Sequence, residues 1–191
     1  MMKRTFAILA ALVMIAAASV LITSCGSTGA EGAEGEETDK SYESGIEATQ
    51  IGAFDTTDLQ GNSVTQDVFQ EADLTLVNFW GTFCGPCIRE MPELQALAEE
   101  YAGRVTVLGV ISDMEDLSDS DTKDEAEEIT TGQGVKFSNV IPQGSLKDIA
   151  DSLQFVPTTV IVDKDGNFVG SPVVGADIEG YRKVIEDYFA K

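Results

Sequence analysis

The chain has 191 residues, 12 basic and 33 acidic side chains, no histidine and a formal net charge of −21. So acidic a surface repels the phosphates of nucleic acid and of anionic lipid, and no nucleic-acid partner is expected. The missing histidine excludes a Ser-His-Asp triad, a Cys-His protease, a histidine-bearing zinc site and histidine-ligated haem.

The N-terminus has the pattern of an export signal. Lys3 and Arg4 precede a run from Phe6 to Ala18 without a polar residue, and Ile22-Thr23-Ser24-Cys25 closes it. A basic start, an apolar stretch and small residues before a cut site are the features of a secretory leader. The last four residues resemble a bacterial lipobox, which implies cleavage after residue 24 and lipidation of Cys25. The run also approaches spanning length, so an uncleaved anchor is the competing reading. Both readings place the rest of the chain outside the cytoplasm, at the cell membrane. Residues 26–45 hold five glycines and five glutamates and almost nothing apolar. Such a segment buries too little surface to fold. Residues 25–47 are therefore expected to form a flexible acidic tether, with a span of about 25 Å. Residues 48–191 make one domain of ordinary size.

Within the domain, Gln60-Gly61-Asn62 between Phe54 and Val64 suggests a hairpin. Leu74 to Trp80 (LTLVNFW) is a buried-strand run. Ile88, Met91, Leu94, Leu97, Ala98 and Tyr101 recur at helical spacing after Cys84. Val105 to Ile111 is a second buried strand. Thr122-Lys123-Asp124-Glu125 reads as a capping box opening a polar helix. The nine acids of residues 113–128 read as a solvated loop and helix. Val140 and Ile141 form a short strand. Ser145 is the expected cap of a helix whose apolar face is Leu146, Ile149, Ala150 and Leu153. Asp165-Gly166 is a hairpin turn between Thr158–Val162 and Asn167–Val169. A last helix buries Ile178, Tyr181, Val184, Ile185, Tyr188 and Phe189. Strands that alternate with helices, followed by a hairpin and a helix, specify an α/β fold with a mixed sheet flanked by helices.

Cysteine usage focuses the chemistry. Of the three cysteines in the chain, the lipobox accounts for Cys25. The remaining pair, Cys84 and Cys87, lies in a compartment where disulfides persist. Cys84-Gly85-Pro86-Cys87 joins a strand to a helix N-terminus. Free backbone N–H groups and the positive end of the helix dipole there favour a Cys84 thiolate. That thiolate is the attacking species in disulfide exchange, and Cys87, one turn on, resolves the mixed disulfide. Pro86 is tolerated in the first turn, where its missing N–H costs nothing. Two other readings compete. A zinc half-site lacks a second ligand pair. A purely structural bridge closing so short a loop stabilises little.

VNFWGTFCGPCIREMPEL (residues 77–94), VPTTVIVDKDGNFVG (156–170) and FDTTDLQGNSVTQDVF (54–69) resemble, in order, the active-site segment, second motif and N-terminal hairpin of TlpA/ResA-type thioredoxins. The resemblance implies a thioredoxin fold with an added N-terminal β-hairpin. It implies exchange with protein thiols and disulfides, in the reducing direction and without a cofactor or metal. It implies electrons from a CcdA/DsbD-type membrane carrier. By the same resemblance Pro157 is cis and faces the cysteines, and Val156 offers backbone groups to a substrate. Gly85, Pro86 and Trp80 complete the expected substrate contacts. Glu90 is implied as a proton carrier for Cys87, although a first-turn glutamate also complements the helix dipole. Pro92 is expected to kink the active-site helix. Phe83 replaces a frequent tryptophan, and Asn78 replaces the buried aspartate of cytoplasmic thioredoxins, which leaves Glu90 as the nearby carboxylate. A peroxidase of this fold needs proline and threonine or serine where Val77 and Gly81 stand. A non-catalytic binding lipoprotein is the alternative of a different class.

Overall fold

The computed structural model describes residues 43–191. The leader, Cys25 and the tether up to residue 42 lie outside the described residues. Ser44 O accepts a hydrogen bond from Gln154 N at 3.3 Å, and Ile46 packs on the core. Among the described residues, backbone contacts with the rest of the domain begin there.

A small hairpin comes first. Strands β1 (Asp55–Thr57) and β2 (Ser63–Thr65) pair antiparallel as a separate sheet. A 3-10 helix, Gln66–Glu71, follows; nothing in the sequence pattern singles it out. Then come β3 (Leu74–Trp80), α1 (Gly85–Glu100), β4 (Val105–Ile111), α2 (Ser120–Gly132), β5 (Asn139–Val140), α3 (Ser145–Ser152), β6 (Thr158–Val162), β7 (Val173–Val174) and α4 (Ile178–Phe189). The main sheet runs β5-β4-β3-β6-β7. β3, β4 and β5 are parallel, while β6 and β7 are antiparallel to their neighbours.

All seven residues of β3 are buried, as expected of a central strand covered on both faces. Successive side chains alternate between those faces. Val77 and Phe79 meet Leu146 and Ile149 of α3, with Phe54 and Phe69 from the hairpin region. Leu74 and Leu76 meet Leu94 and Leu97 of α1 and Tyr181 and Ile185 of α4. Asn78 points to this second face, and so does its register partner Thr159. A polar pair is thereby buried under α1.

Three local expectations need correction. α2 starts at Ser120, not at the Thr122 box, because Asp119 reaches Thr122 N first, at 3.2 Å. Ser145 does not cap α3. It is the first helical residue, and its hydroxyl donates to Gly52 O at 2.9 Å. Gly144 takes the cap position with φ 54°, a conformation that glycine tolerates best. The Asp165-Gly166 turn forms, with Gly166 N on Asp163 O at 3.0 Å. Its returning arm meets β6 only briefly, at the Val162–Phe168 bridge and through Val169 N on Ile161 O at 2.7 Å, and the regular strand that pairs with β6 lies further on, at Val173–Val174.

Candidate active site

β3 ends beside the sheet's parallel half and delivers the chain into the loop Gly81–Phe83. Asp113, just past β4, holds this loop. Its carboxylate accepts from Thr82 N at 3.2 and 3.0 Å and from Thr82 Oγ1 at 2.8 Å. No sequence signal separates Asp113 from the eight other acids of residues 113–128. The Phe83 ring folds back over Gly81, where a Cβ would come within 2.7 Å of it. The threonine of a peroxidase signature therefore does not fit at residue 81 without moving that ring.

Cys84 is the N-cap of α1, and it is disulfide-bonded to Cys87. Cys87 N donates to Cys84 Sγ at 3.3 Å, the amide–sulfur contact that the helix terminus was expected to supply. Gly85 and Pro86 form the first turn between the cysteines. Exposure distinguishes the two cysteines: Cys84 is 6% exposed and Cys87 0%. Val156 O lies 3.5 Å from Cys84 Sγ, and the Val156–Pro157 bond is cis. The second motif therefore comes alongside the first. Val156 is half-buried and Pro157 buried. Trp80 is fully buried beneath the disulfide with Met91 and Ile111, and its Nε1 donates to Asn139 Oδ1 at 2.9 Å. It supports the pair from below and presents no surface to solvent. Two aromatics flank the site at the surface, Phe83 at 73% and Phe155 at 47% exposure. Pro92 lies inside α1, where it cannot donate to the Ile88 carbonyl.

Glu90 is not a solvated first-turn residue. It is 2% exposed, one turn beyond Cys87 on the same helix. Asn78 Nδ2 donates to Glu90 Oε1 at 2.9 Å and also to Thr159 Oγ1 at 2.9 Å. Tyr181 OH lies 3.1 Å from Glu90 Oε2. Burial raises the Glu90 pKa from 4.5 to about 7, against the opposing hydrogen bonds from Asn78 and Tyr181. A carboxyl poised near neutrality both takes and gives a proton at working pH. Glu90 forms part of the wall of a recess of about 500 Å³, with Pro86, Arg89 and Glu93 on α1 and residues 176–179 opposite. The sequence signalled part of this cluster. Asn78 is the lone amide in an apolar strand, and a buried amide needs partners. Tyr181 gave no signal beyond helical core spacing.

A mixed sheet with flanking helices, and a dithiol capping the helix after its central strand, define a thioredoxin-fold thiol–disulfide oxidoreductase. The chain belongs to the AhpC/TSA family, whose model matches residues 48–170. It is 30% identical to the thiol-disulfide oxidoreductase ResA of Bacillus thuringiensis (strain Al Hakam) over 148 residues, which are 73% of this chain and 80% of the relative. ResA of Bacillus thuringiensis subsp. konkukian is 28% identical over 174 residues, covering 90% of this chain and 92% of that protein. Two solved structures share the fold. A thioredoxin-family thiol:disulfide interchange protein from Chlorobium tepidum TLS has a TM-score of 0.60 at 18% identity, covering 73% of this chain and 94% of that chain. StoA from Bacillus subtilis has a TM-score of 0.55 at 16% identity, covering 72% and 98%. The enzyme is thus a thiol–disulfide oxidoreductase of the ResA type.

Proposed function

We propose that the protein is tethered to the outer face of the cell membrane through a lipidated Cys25 and reduces disulfides in exported proteins. Ile22-Thr23-Ser24-Cys25 and the acidic, glycine-rich segment after it support the tether. The observation that carries the chemistry is the asymmetry of the pair. Cys84 is the more exposed residue and caps the helix, while Cys87 is fully buried. In the reduced enzyme the Cys84 thiolate attacks one sulfur of a substrate disulfide. A Cys84–substrate bond forms, the substrate S–S bond breaks and one substrate thiolate leaves. Cys87 then gives its proton to Glu90 and attacks Cys84 Sγ. The second substrate thiolate leaves, the Cys84–Cys87 bond forms and two electrons have passed to the substrate. Val156 and Pro157 dock the substrate chain beside Gly85 and Pro86. A CcdA/DsbD-type membrane dithiol returns the two electrons by the same exchange run against the Cys84–Cys87 bond.

The residues between the cysteines support the reducing direction. Neither Gly85 nor Pro86 offers a side-chain donor to the Cys84 thiolate, and a less stabilised thiolate makes a less oxidising disulfide. Reduction of insulin by dithiothreitol with catalytic amounts of the protein tests the activity. Cys84→Ser should abolish it, and Cys87→Ala should accumulate mixed disulfides with exported proteins. Full turnover by Cys84→Ser would remove Cys84 as the nucleophile.

A further inference from the structure

Tyr181 OH stands between two acceptors. Glu90 Oε2 is 3.1 Å away and Gly175 O is 3.0 Å away. A phenol has one hydrogen to donate, so it serves one of them well at a time. Burial, and then the charge of Glu90, raises the Tyr181 pKa above its ordinary value, so the phenol keeps that hydrogen. Gly175 in turn donates its N–H to Pro157 O at 2.8 Å. A continuous path thus runs from Glu90 through Tyr181 and Gly175 to the segment that sets Val156 O against Cys84 Sγ.

We propose that Tyr181 is a positioning residue that links the charge on Glu90 to the substrate-docking backbone at Pro157, by switching its one hydrogen between Glu90 and Gly175. This rests on the proton role assigned to Glu90 above. When Glu90 is ionised, its carboxylate is the stronger acceptor and takes the Tyr181 hydrogen. Gly175 O is then released. When Glu90 has received the Cys87 proton, it donates to the Tyr181 oxygen, and Tyr181 donates to Gly175 O. The second arrangement follows the step in which Cys87 attacks, so substrate release coincides with a changed hydrogen bond behind Pro157. No atom is gained or lost in the switch, because one proton moves from Cys87 to Glu90 and one hydroxyl rotates. The other titratable groups lining the recess around Glu90 are Arg89 and Glu93 on α1 and Asp177 and Glu179 at the start of α4, and Cys87 lies one turn before it on α1. β3 and β6 contribute only the uncharged Asn78 and Thr159.

The test uses the 15N-labelled full chain in detergent micelles. The amide nitrogen of Ala176 reports on the Gly175 carbonyl to which it is bonded. Its shift should follow a titration in the wild type, and Glu90→Gln should abolish that inflection. Tyr181→Phe should abolish it too, and should move the Glu90 limb of the pH–rate profile up by about one pH unit, since a donor to the charged form is lost. If Glu90→Gln leaves both the rate limb and the Ala176 inflection unchanged, Glu90 carries no proton and both readings fall. If Glu90→Gln removes the rate limb but Ala176 never titrates, or Tyr181→Phe leaves the limb in place, the link through Tyr181 alone is overturned. Should Tyr181→Phe fail to fold, the wild-type and Glu90→Gln titrations of Ala176 still decide the matter.

Discussion

Glu90 shows what burial does to a single carboxyl. In solution its pKa would be 4.5, and in the fold it is about 7. Between those values the folded chain holds a proton that the unfolded chain has released. Stability therefore falls as pH rises through that window and levels off above it. The loss is on the order of 2–3 kcal/mol. Glu90→Gln removes the titration, so the stability of wild type relative to the variant should drop by that amount between pH 5 and pH 8 in urea unfolding. A difference that stays constant across that range would mean that Glu90 ionises normally in the fold. The same substitution should flatten the limb near pH 7 in the rate of disulfide reduction. At this scale the sequence was readable where chemistry demands a rare pattern. Cys84 and Cys87 declared themselves through their spacing at a strand–helix junction, whereas the roles of Pro157 and Glu90 came from the resemblance to TlpA/ResA-type thioredoxins. Tyr181 gave no signal, because an aromatic at helical spacing has the same pattern whether its hydroxyl is idle or bonded to a carboxylate. Asp113 was hidden among equivalent acids.

Element boundaries were legible where burial dictates them and ambiguous where polar residues compete. β3 and β4 follow from apolar runs that fit only a doubly covered strand. The sequence puts the start of α2 at the Thr122-to-Glu125 box, and the geometry sets the cap three residues earlier, at Asp119. The loss of an N-cap costs about 1 kcal/mol. Asp119→Ala should therefore lower stability, or raise hydrogen exchange in the first turn of α2, by roughly that much. Thr122→Ala should change either by less than about 0.5 kcal/mol. A larger effect at Thr122 would put the cap back at the Thr122-to-Glu125 box. β7 was misplaced for a related reason. The Asp163–Asn167 turn is local chemistry, with Asp163 Oδ1 accepting from Asp165 N and Asn167 N at 2.9 Å each. Which residues pair with β6 after that turn depends on long-range register, here Thr158 with Val174.

For the whole molecule, the proposed function joins the dithiol domain to an N-terminal segment that would carry its address. If that address is a lipobox, Cys25→Ala should block lipid attachment and release, or leave unprocessed, the 20.4 kDa chain. Mass spectrometry of the mature N-terminus checks this, and an unmodified residue other than Cys25 there would contradict it. The central claim is that the Cys84–Cys87 pair is a redox couple poised to reduce. Gly85 and Pro86 add no donor to the thiolate, the helix terminus is its main support, and the chain as a whole is strongly acidic. Equilibration of the protein with glutathione buffers measures the couple directly. The account predicts a two-electron titration with a midpoint of about −220 to −280 mV, near thioredoxin. A midpoint above about −160 mV, towards the strong oxidants, would contradict it.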